Sequence, residues 1–288
     1  MKAADINIRD PFILVDDGKY YMYGTRGGNI CWDKKPSDNN GFDVYVSDDL
    51  ENWSDPMCVF APGADFWGKY QFWAPEVYKY RDGYYMFASF NCDTLNRGTQ
   101  ILRADSPMGP FVPHSDGAVT PRDWVCLDGT LHIEPDGTPY MVFCHEWVQV
   151  KDGEICALRL SDDLKSAVGK PILLFHASEP EWALKGAETF VTDGPFMYRT
   201  ESERLVMLWS SCAKDGYCEA LSYSDNGSIT GKWSHDSRLL FFRDGGHGMI
   251  FKSLDGELLF TCHQPNKTSA ERPCFIRVSE RSDTLYAE

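Results

Sequence analysis

The sequence predicts an all-β chain folded as a five-bladed β-propeller, and three observations predict it. Helical periodicity is nearly absent along the 288 residues. A turn followed by an apolar strand recurs five times. A second signal, a small polar residue beside an acid, recurs in step with the first.

The first signal reads DDGKYYMYGTR from Asp16, RDGYYMFASF from Arg81, PDGTPYMVFC from Pro135, ESERLVMLWSS from Glu201 and LDGELLFTCH from Leu254. Asp-Gly ahead of an apolar or alternating run marks a hairpin, because glycine enters the positive-φ region of the turn without steric cost. The fourth copy lacks the glycine and reads as a degenerate hairpin. The second signal closes the strand that follows each hairpin: VSDD around Ser47, ADSP around Asp105, LSDD around Ser161, YSDN around Ser224 and VSER around Ser279. The steps between these anchors are 58, 56, 63 and 55 residues. Ser-Asp also suits a helix N-cap, but no amphipathic stretch follows it here. Five long repeats of four strands fit propeller blades, whereas sandwich hairpins would repeat at shorter intervals. No linker divides residues 1–288, so a single domain with one cooperative ring is expected. Only a short tail follows Ser279, which makes the N-terminal segment a candidate to complete the last blade.

Composition narrows the partners. Lys and Arg number 28 and Asp and Glu 43, a formal net charge of −15. That balance disfavours nucleic acid and anionic membrane surfaces and suits a neutral substrate. No run approaches the ~20 apolar residues of a membrane span. The N-terminus, MKAADINIRDPF, has no apolar leader core. The expected location is cytoplasmic, or periplasmic or secreted if a leader has been removed. The ten cysteines form no Cys-x-x-Cys pair. They read as buried free thiols of a reducing compartment rather than zinc or iron–sulfur ligands.

In a propeller the innermost strand of each blade lines a central channel, so the informative residues precede each first hairpin. They are Asp10 in RDPF, Glu76 in WAPE, Asp128 in LDGT, Asp193 in TDGPF and His247 in GHGM. Each innermost strand thus offers an acid or a histidine at what reads as an equivalent place. Asp-Pro and Asp-Gly are also ordinary turn dipeptides, but a turn aspartate need not recur at the inner end of every repeat. His145-Glu146-Trp147, directly after an apolar strand, is a further cluster that can reach the channel mouth.

RDPF, FWAPE and GHG give the chain a resemblance, over essentially its whole length, to glycoside hydrolase family 43. The family's five-bladed propellers cleave arabinofuranosides, xylosides and related galactosides. The resemblance implies catalysis with inversion at terminal α-L-arabinofuranosides or related β-xylosides and galactofuranosides of plant-type oligosaccharides or polysaccharides. It implies that Asp10 is the general base and that Asp128 orients the acid and tunes its pKa. The family's acid is a glutamate before Gly-Pro, and this chain has Asp193 there, one methylene shorter. Glu146 is the second candidate for the acid and Glu188 a weaker third. Inversion needs one carboxylate to activate water and one carboxylic acid to protonate the leaving oxygen. A third carboxylate nearby raises the acid's pKa. No cofactor is required. The resemblance adds a calcium ion, or its waters, beside His247, and His263 and His145 lack the spacing of a transition-metal site.

Sugar sites set aromatic faces against C–H surfaces and polar groups against hydroxyls. Trp73 and Trp147 are the main candidates for contact, with Phe72 and Trp124 nearby. Glu76 and His145 are expected to serve substrate, and Arg272, in ERPCF, is expected to meet a sugar hydroxyl by the family's habit. Asn29 and Cys31 are weaker. Because of Asp193, a non-catalytic carbohydrate-binding propeller stands as the alternative. A structural or protein-interaction propeller fits less well, since it would not need aligned acids.

Overall fold

The computed structural model describes residues 1–27 and 40–288, which leaves Asn29 and Cys31 outside the described residues. Among those described, five four-stranded sheets follow one another along the chain. Blade one is β1 (Ile8–Asp16), β2 (Lys19–Arg26), β3 (Phe42–Ser47) and β4 (Met57–Phe60); blade two is β5 (Tyr70–Tyr80), β6 (Gly83–Asn91), β7 (Gly98–Ala104) and β8 (Val112–Ala118). Blade three is β9 (Cys126–Ile133), β10 (Pro139–His145), β11 (Glu154–Arg159) and β12 (Ile172–His176). Blade four is β13 (Asp193–Arg199), β14 (Leu205–Ala213), β15 (Gly216–Ser224) and β16 (Trp233–Phe241); blade five is β17 (Gly246–Lys252), β18 (Leu258–Gln264), β19 (Arg272–Arg281) and β20 (Thr284–Ala287). A short α-helix, α1 (Trp147–Val150), follows β10. The chain is a five-bladed β-propeller.

Each repeat signal has its expected place. The first signal joins the first and second strands of every blade, as where Asp16 pairs with Lys19 across Asp17-Gly18. The second falls at the end of the third strand, with Ser47 closing β3 and Ser224 closing β15. The ring closes where β1 packs against β17 on one side and β5 on the other.

The last blade is completed by its own β20, not by the N-terminal segment. Arg281 pairs with Thr284 across Ser282 and Asp283, whose φ angles are 50° and 61°. Two positive φ values make a tight hairpin that matches strand twist, so the tail after Ser279 is long enough. The N-terminal segment instead forms a short turn at Ala3–Asp5 that packs on β19, while Lys2 bridges to Asn52 of blade one. It covers the seam between the first and last blades. Between blades one and two, Phe42, Phe60, Phe66, Phe72 and Phe90 pack edge and face, with Phe72 and Phe90 centroids 4.9 Å apart. Phe72 is therefore core and not cavity wall. The nine described cysteines are all free, and six are buried. No described helix is long and apolar enough to cross a membrane.

Every innermost strand breaks register near its start. The breaks lie between Arg9 and Phe12, Trp73 and Glu76, Asp193 and Phe196, and Gly246 and Met249, and in blade three opposite Val142 and Cys144. At the bend of each strand one residue has positive φ: Asp10, Ala74, Asp128, Gly194 and His247. That conformation turns its backbone N–H out of its own sheet, toward the preceding blade. Ala74 N–H donates to Thr25 Oγ1 (2.8 Å), Asp128 N–H to Ser89 Oγ (2.9 Å), and His247 N–H to Ser210 Oγ (2.6 Å). Asp10 N–H donates to His263 Nδ1 (3.3 Å) and closes the circle. In blade three the corresponding residue is Cys144, a poor acceptor, and Gly194 N–H turns to Asp128 Oδ2 (3.0 Å) instead. Five backbone donors that would otherwise be buried without partners are thus satisfied around the axis.

Candidate active site

The bends show that the five inner-strand residues do not occupy one equivalent position. Asp10, Asp128 and His247 sit at the positive-φ residue itself. Asp193 lies one residue before its bend, and Glu76 two residues after. Asp10, Asp128, Asp193 and His247 converge on a cavity of about 330 Å³, together with Arg9, Thr25, Trp73, Glu146, Trp147 and Tyr217.

Asp10 is buried and held from several sides. The Thr25 hydroxyl donates to its Oδ2 at 2.7 Å. Its Oδ1 stands 3.2 Å from His247 Nδ1 and 3.4 Å from Arg9 Nε, with no hydrogen bond of its own among the described residues. Burial alone would raise the Asp10 pKa, but His247, Arg9, His263 and the Thr25 hydroxyl outweigh it, and the net shift is downward. His263 receives the Asp10 N–H on Nδ1, and burial, with Arg9 adding to it, lowers its pKa to about 3. A neutral imidazole is what that acceptor role requires.

Asp128 and Asp193 form the opposite electrostatic case. Burial raises Asp128 well above the usual carboxylate range, and the charges of Asp193 and Asp10 push it further. Burial also raises Asp193, against the opposing pull of His247, Arg9 and the Tyr217 hydroxyl, which donates to its Oδ2 at 3.0 Å. Carboxyls shifted upward in this way keep a proton to higher pH than an ordinary carboxylate does. His247 links the two halves, since its Nδ1 is also 3.7 Å from Asp128 Oδ2. Its ring lies on Gly194, where a Cβ would come within 2.6 Å of Cδ2.

Glu146 reaches the cavity but is committed elsewhere. It makes a buried ion pair with Arg97, whose guanidinium lies 4.4 Å over the Trp73 ring and bonds to Gln71 Oε1. Burial raises its pKa and Arg97 opposes that rise.

Other expected site residues are placed away from the cavity. Arg272 donates to the carbonyls of Ala4 (2.8 Å) and Glu271 (2.7 Å), so it ties down the N-terminal segment. His145 is fixed by Glu154 (2.7 Å) and Gln149 (2.9 Å) and stacks on Trp124 at 4.1 Å. Glu76 is buried farther down its strand, where Tyr78 donates to it at 2.5 Å and burial raises its pKa to about 8. Glu188 is exposed and off the cavity. Calcium takes about six to eight oxygen ligands. Among the described residues no group of three or more His, Cys, Asp or Glu is arranged to hold a metal.

Arg9, Tyr217 and Arg97 are site residues that sequence reasoning missed. Arg9 stands inside RDPF and was within reach. Tyr217 follows Asp215-Gly216 and cannot be told from a core tyrosine by its neighbours. Arg97 lies in a loop with no repeat signal.

The family model for glycosyl hydrolases family 43 matches residues 5–279. Among solved structures the chain is similar to an endo-arabinase from Bacteroides thetaiotaomicron VPI-5482, at 41% identity and a TM-score of 0.88 over 98% of both chains. It is also similar to a thermostable family-43 glycoside hydrolase, at 23% identity and a TM-score of 0.85 over 98% of this chain and 92% of that one. An α-L-arabinofuranosidase from Lactobacillus brevis matches at 18% identity and a TM-score of 0.77, over 100% of this chain and 97% of that one. The last two likenesses speak for the fold alone. A comparison with curated proteins finds no match.

Proposed function

The chain belongs to glycosyl hydrolases family 43, and on that premise we propose that it cleaves α-L-arabinofuranosidic bonds with inversion at the anomeric carbon. It is a glycosidase, and the family reading supports substrates of the arabinofuranoside, xyloside or galactofuranoside type. Inversion is carried over from the family reading, and one observation carries the division into base and acid. A single cavity pairs a carboxylate kept ionised, Asp10, with a buried pair that retains a proton, Asp128 and Asp193. Carboxyls whose environments push their pKa values apart divide into base and acid.

In this reading Asp10 Oδ1 takes a proton from a water molecule as that water attacks the anomeric carbon. The bond to the leaving oxygen breaks as Asp193 protonates it. Asp128 stays beside Asp193 and keeps the proton available. The Arg97 ion pair weighs against Glu146 as the acid, because it commits that carboxyl to a buried guanidinium, although burial raises its pKa. Trp73 and Trp147 supply aromatic wall for the sugar's C–H face. These steps call on no cofactor, and a calcium held beside His247 would supply positive charge to the site.

The similarity to an endo-arabinase at 41% identity supports arabinofuranose over xylose. It also favours a second reading, cleavage of internal bonds of arabinan, beside cleavage of terminal residues. Hydrolysis of linear arabinan and of dinitrophenyl α-L-arabinofuranoside tests the proposal. Asp10→Asn is expected to slow both by about 10²–10⁴-fold. Asp193→Asn is expected to slow arabinan by a similar factor and to spare the dinitrophenyl substrate, whose leaving group needs little protonation. The same selectivity in Glu146→Gln instead would move the acid to Glu146. Binding of arabinan with no turnover of either substrate would make the chain a binding propeller.

A further inference from the structure

We propose that Glu219 is a positioning residue for this reaction, holding the Gly246–Gly248 bend so that His247 faces Asp10 and Asp128. The proposal rests on the family reading of the site and extends it to a residue outside the cavity. Glu219 lies in β15, directly opposite Ser210 on β14, and is fully buried. Its Oε2 accepts from the Ser210 hydroxyl (2.6 Å) and from Gly248 N–H (3.1 Å). Its Oε1 has no partner among the described residues. Ser210 Oγ in turn accepts His247 N–H at 2.6 Å. Both consecutive donors of the bend are thus received by one pair of side chains on blade four.

Comparison around the ring explains why an acceptor is needed here. The residue after the positive-φ position is Pro11, Pro75 or Pro195 in three blades, and proline has no N–H. It is Gly129 in blade three and Gly248 in blade five. Gly129 N–H goes to Thr99 Oγ1 (3.2 Å), which stands opposite Ser89 just as Glu219 stands opposite Ser210. Proline is excluded at 248, because a Cβ there would lie 2.2 Å from the Phe260 ring and 2.5 Å from the Thr261 carbonyl oxygen. Glycine leaves a buried N–H that must be met, and an unmet one destabilises the fold. Burial raises the Glu219 pKa to about 8, against the pull of the Ser210, Gly248 and His247 donors that face it.

His247 is the group through which this support reaches the chemistry. Its Nδ1 is 3.2 Å from the base and 3.7 Å from Asp128, and a backbone shift at residue 247 changes both distances. Misplacement by about 1 Å is enough to cost on the order of 10²-fold in rate.

The test measures kinetics and the His247 imidazole nitrogen resonances in Glu219→Leu, Glu219→Gln, His247→Ala and the Leu–Ala double variant. Glu219→Leu is expected to lower kcat by about 10–10²-fold with KM changed less than about threefold. Glu219→Gln keeps an oxygen acceptor and is expected to recover most of that loss. If Glu219 acts through His247, the double variant is no slower than His247→Ala alone. In the free protein the His247 resonances move in Glu219→Leu and stay close to wild type in Glu219→Gln. Additive losses in the double variant, or unmoved His247 resonances, would overturn the proposal. If Glu219→Leu does not fold, Ser210→Ala carries the same comparison. An inactive wild type would sink the functional reading, whereas the resonances test the positioning with no substrate present.

Discussion

Asp10 and Asp128 are the same residue type at the positive-φ position of two different blades, yet their pKa values move in opposite directions. The cause lies in what surrounds each one. Asp10 has Arg9 beside it in sequence and His247 and His263 across the ring, whereas Asp128 meets mainly burial and the negative charges of Asp193 and Asp10. The pH dependence of kcat/KM follows with its sign. The acid limb, set by Asp10, lies below the ordinary carboxylate range. The basic limb, set by loss of the proton that Asp128 and Asp193 hold, lies above it. Asp128→Asn removes the repulsion that keeps that proton bound, so the basic limb moves to lower pH and the acid limb stays nearly fixed. A profile of Asp128→Asn superimposable on wild type would count against this coupling. Asp10, Asp128, Asp193 and His247 were legible in the sequence because each stands beside a glycine or proline that marks a bend. Glu146 was legible as a cavity residue, but its partner Arg97 was not, because nothing in sequence links positions 49 apart. The partners that hold Arg272 and His145 outside the cavity were not legible either. Those partners, Ala4 and Glu154, come from parts of the chain that only folding brings near.

The element that organises the site is the bend near the start of each innermost strand. A positive φ at a residue other than glycine is strained, and four of the five bends carry one, at Asp10, Ala74, Asp128 and His247. The hydrogen bond from each bend to the preceding blade offsets that strain. Ser89→Ala leaves Asp128 N–H buried without its acceptor. It is expected to destabilise the fold by about 1–3 kcal/mol, read as a lower midpoint in denaturant unfolding with an unchanged slope. Stability equal to wild type would mean that the hydroxyl contributes nothing. Asp-Gly hairpins and their spacing exposed the blades, because turn chemistry is local. The bends were less legible. Their Pro and Gly residues are visible, but the offsets that put Asp193 one residue before its bend and Glu76 two after depend on cross-strand register, which is set by tertiary pairing.

At the scale of the whole molecule, the ring places side chains from positions 10, 128, 193 and 247 around one cavity, each from a different blade. The fold was legible because five similar repeats leave few alternatives. Closure was not, since Ser282-Asp283 forms a tight turn without the glycine that usually announces one. With the base contributed by blade one and the acid by blade four, water and leaving group are expected on opposite sides of the bound sugar. That arrangement dictates the stereochemistry of the product. The most direct measurement is proton NMR of the sugar first released from an α-L-arabinofuranoside, recorded before mutarotation. The β-anomer is expected to appear first and to decay toward equilibrium. Initial release of the α-anomer would contradict the account.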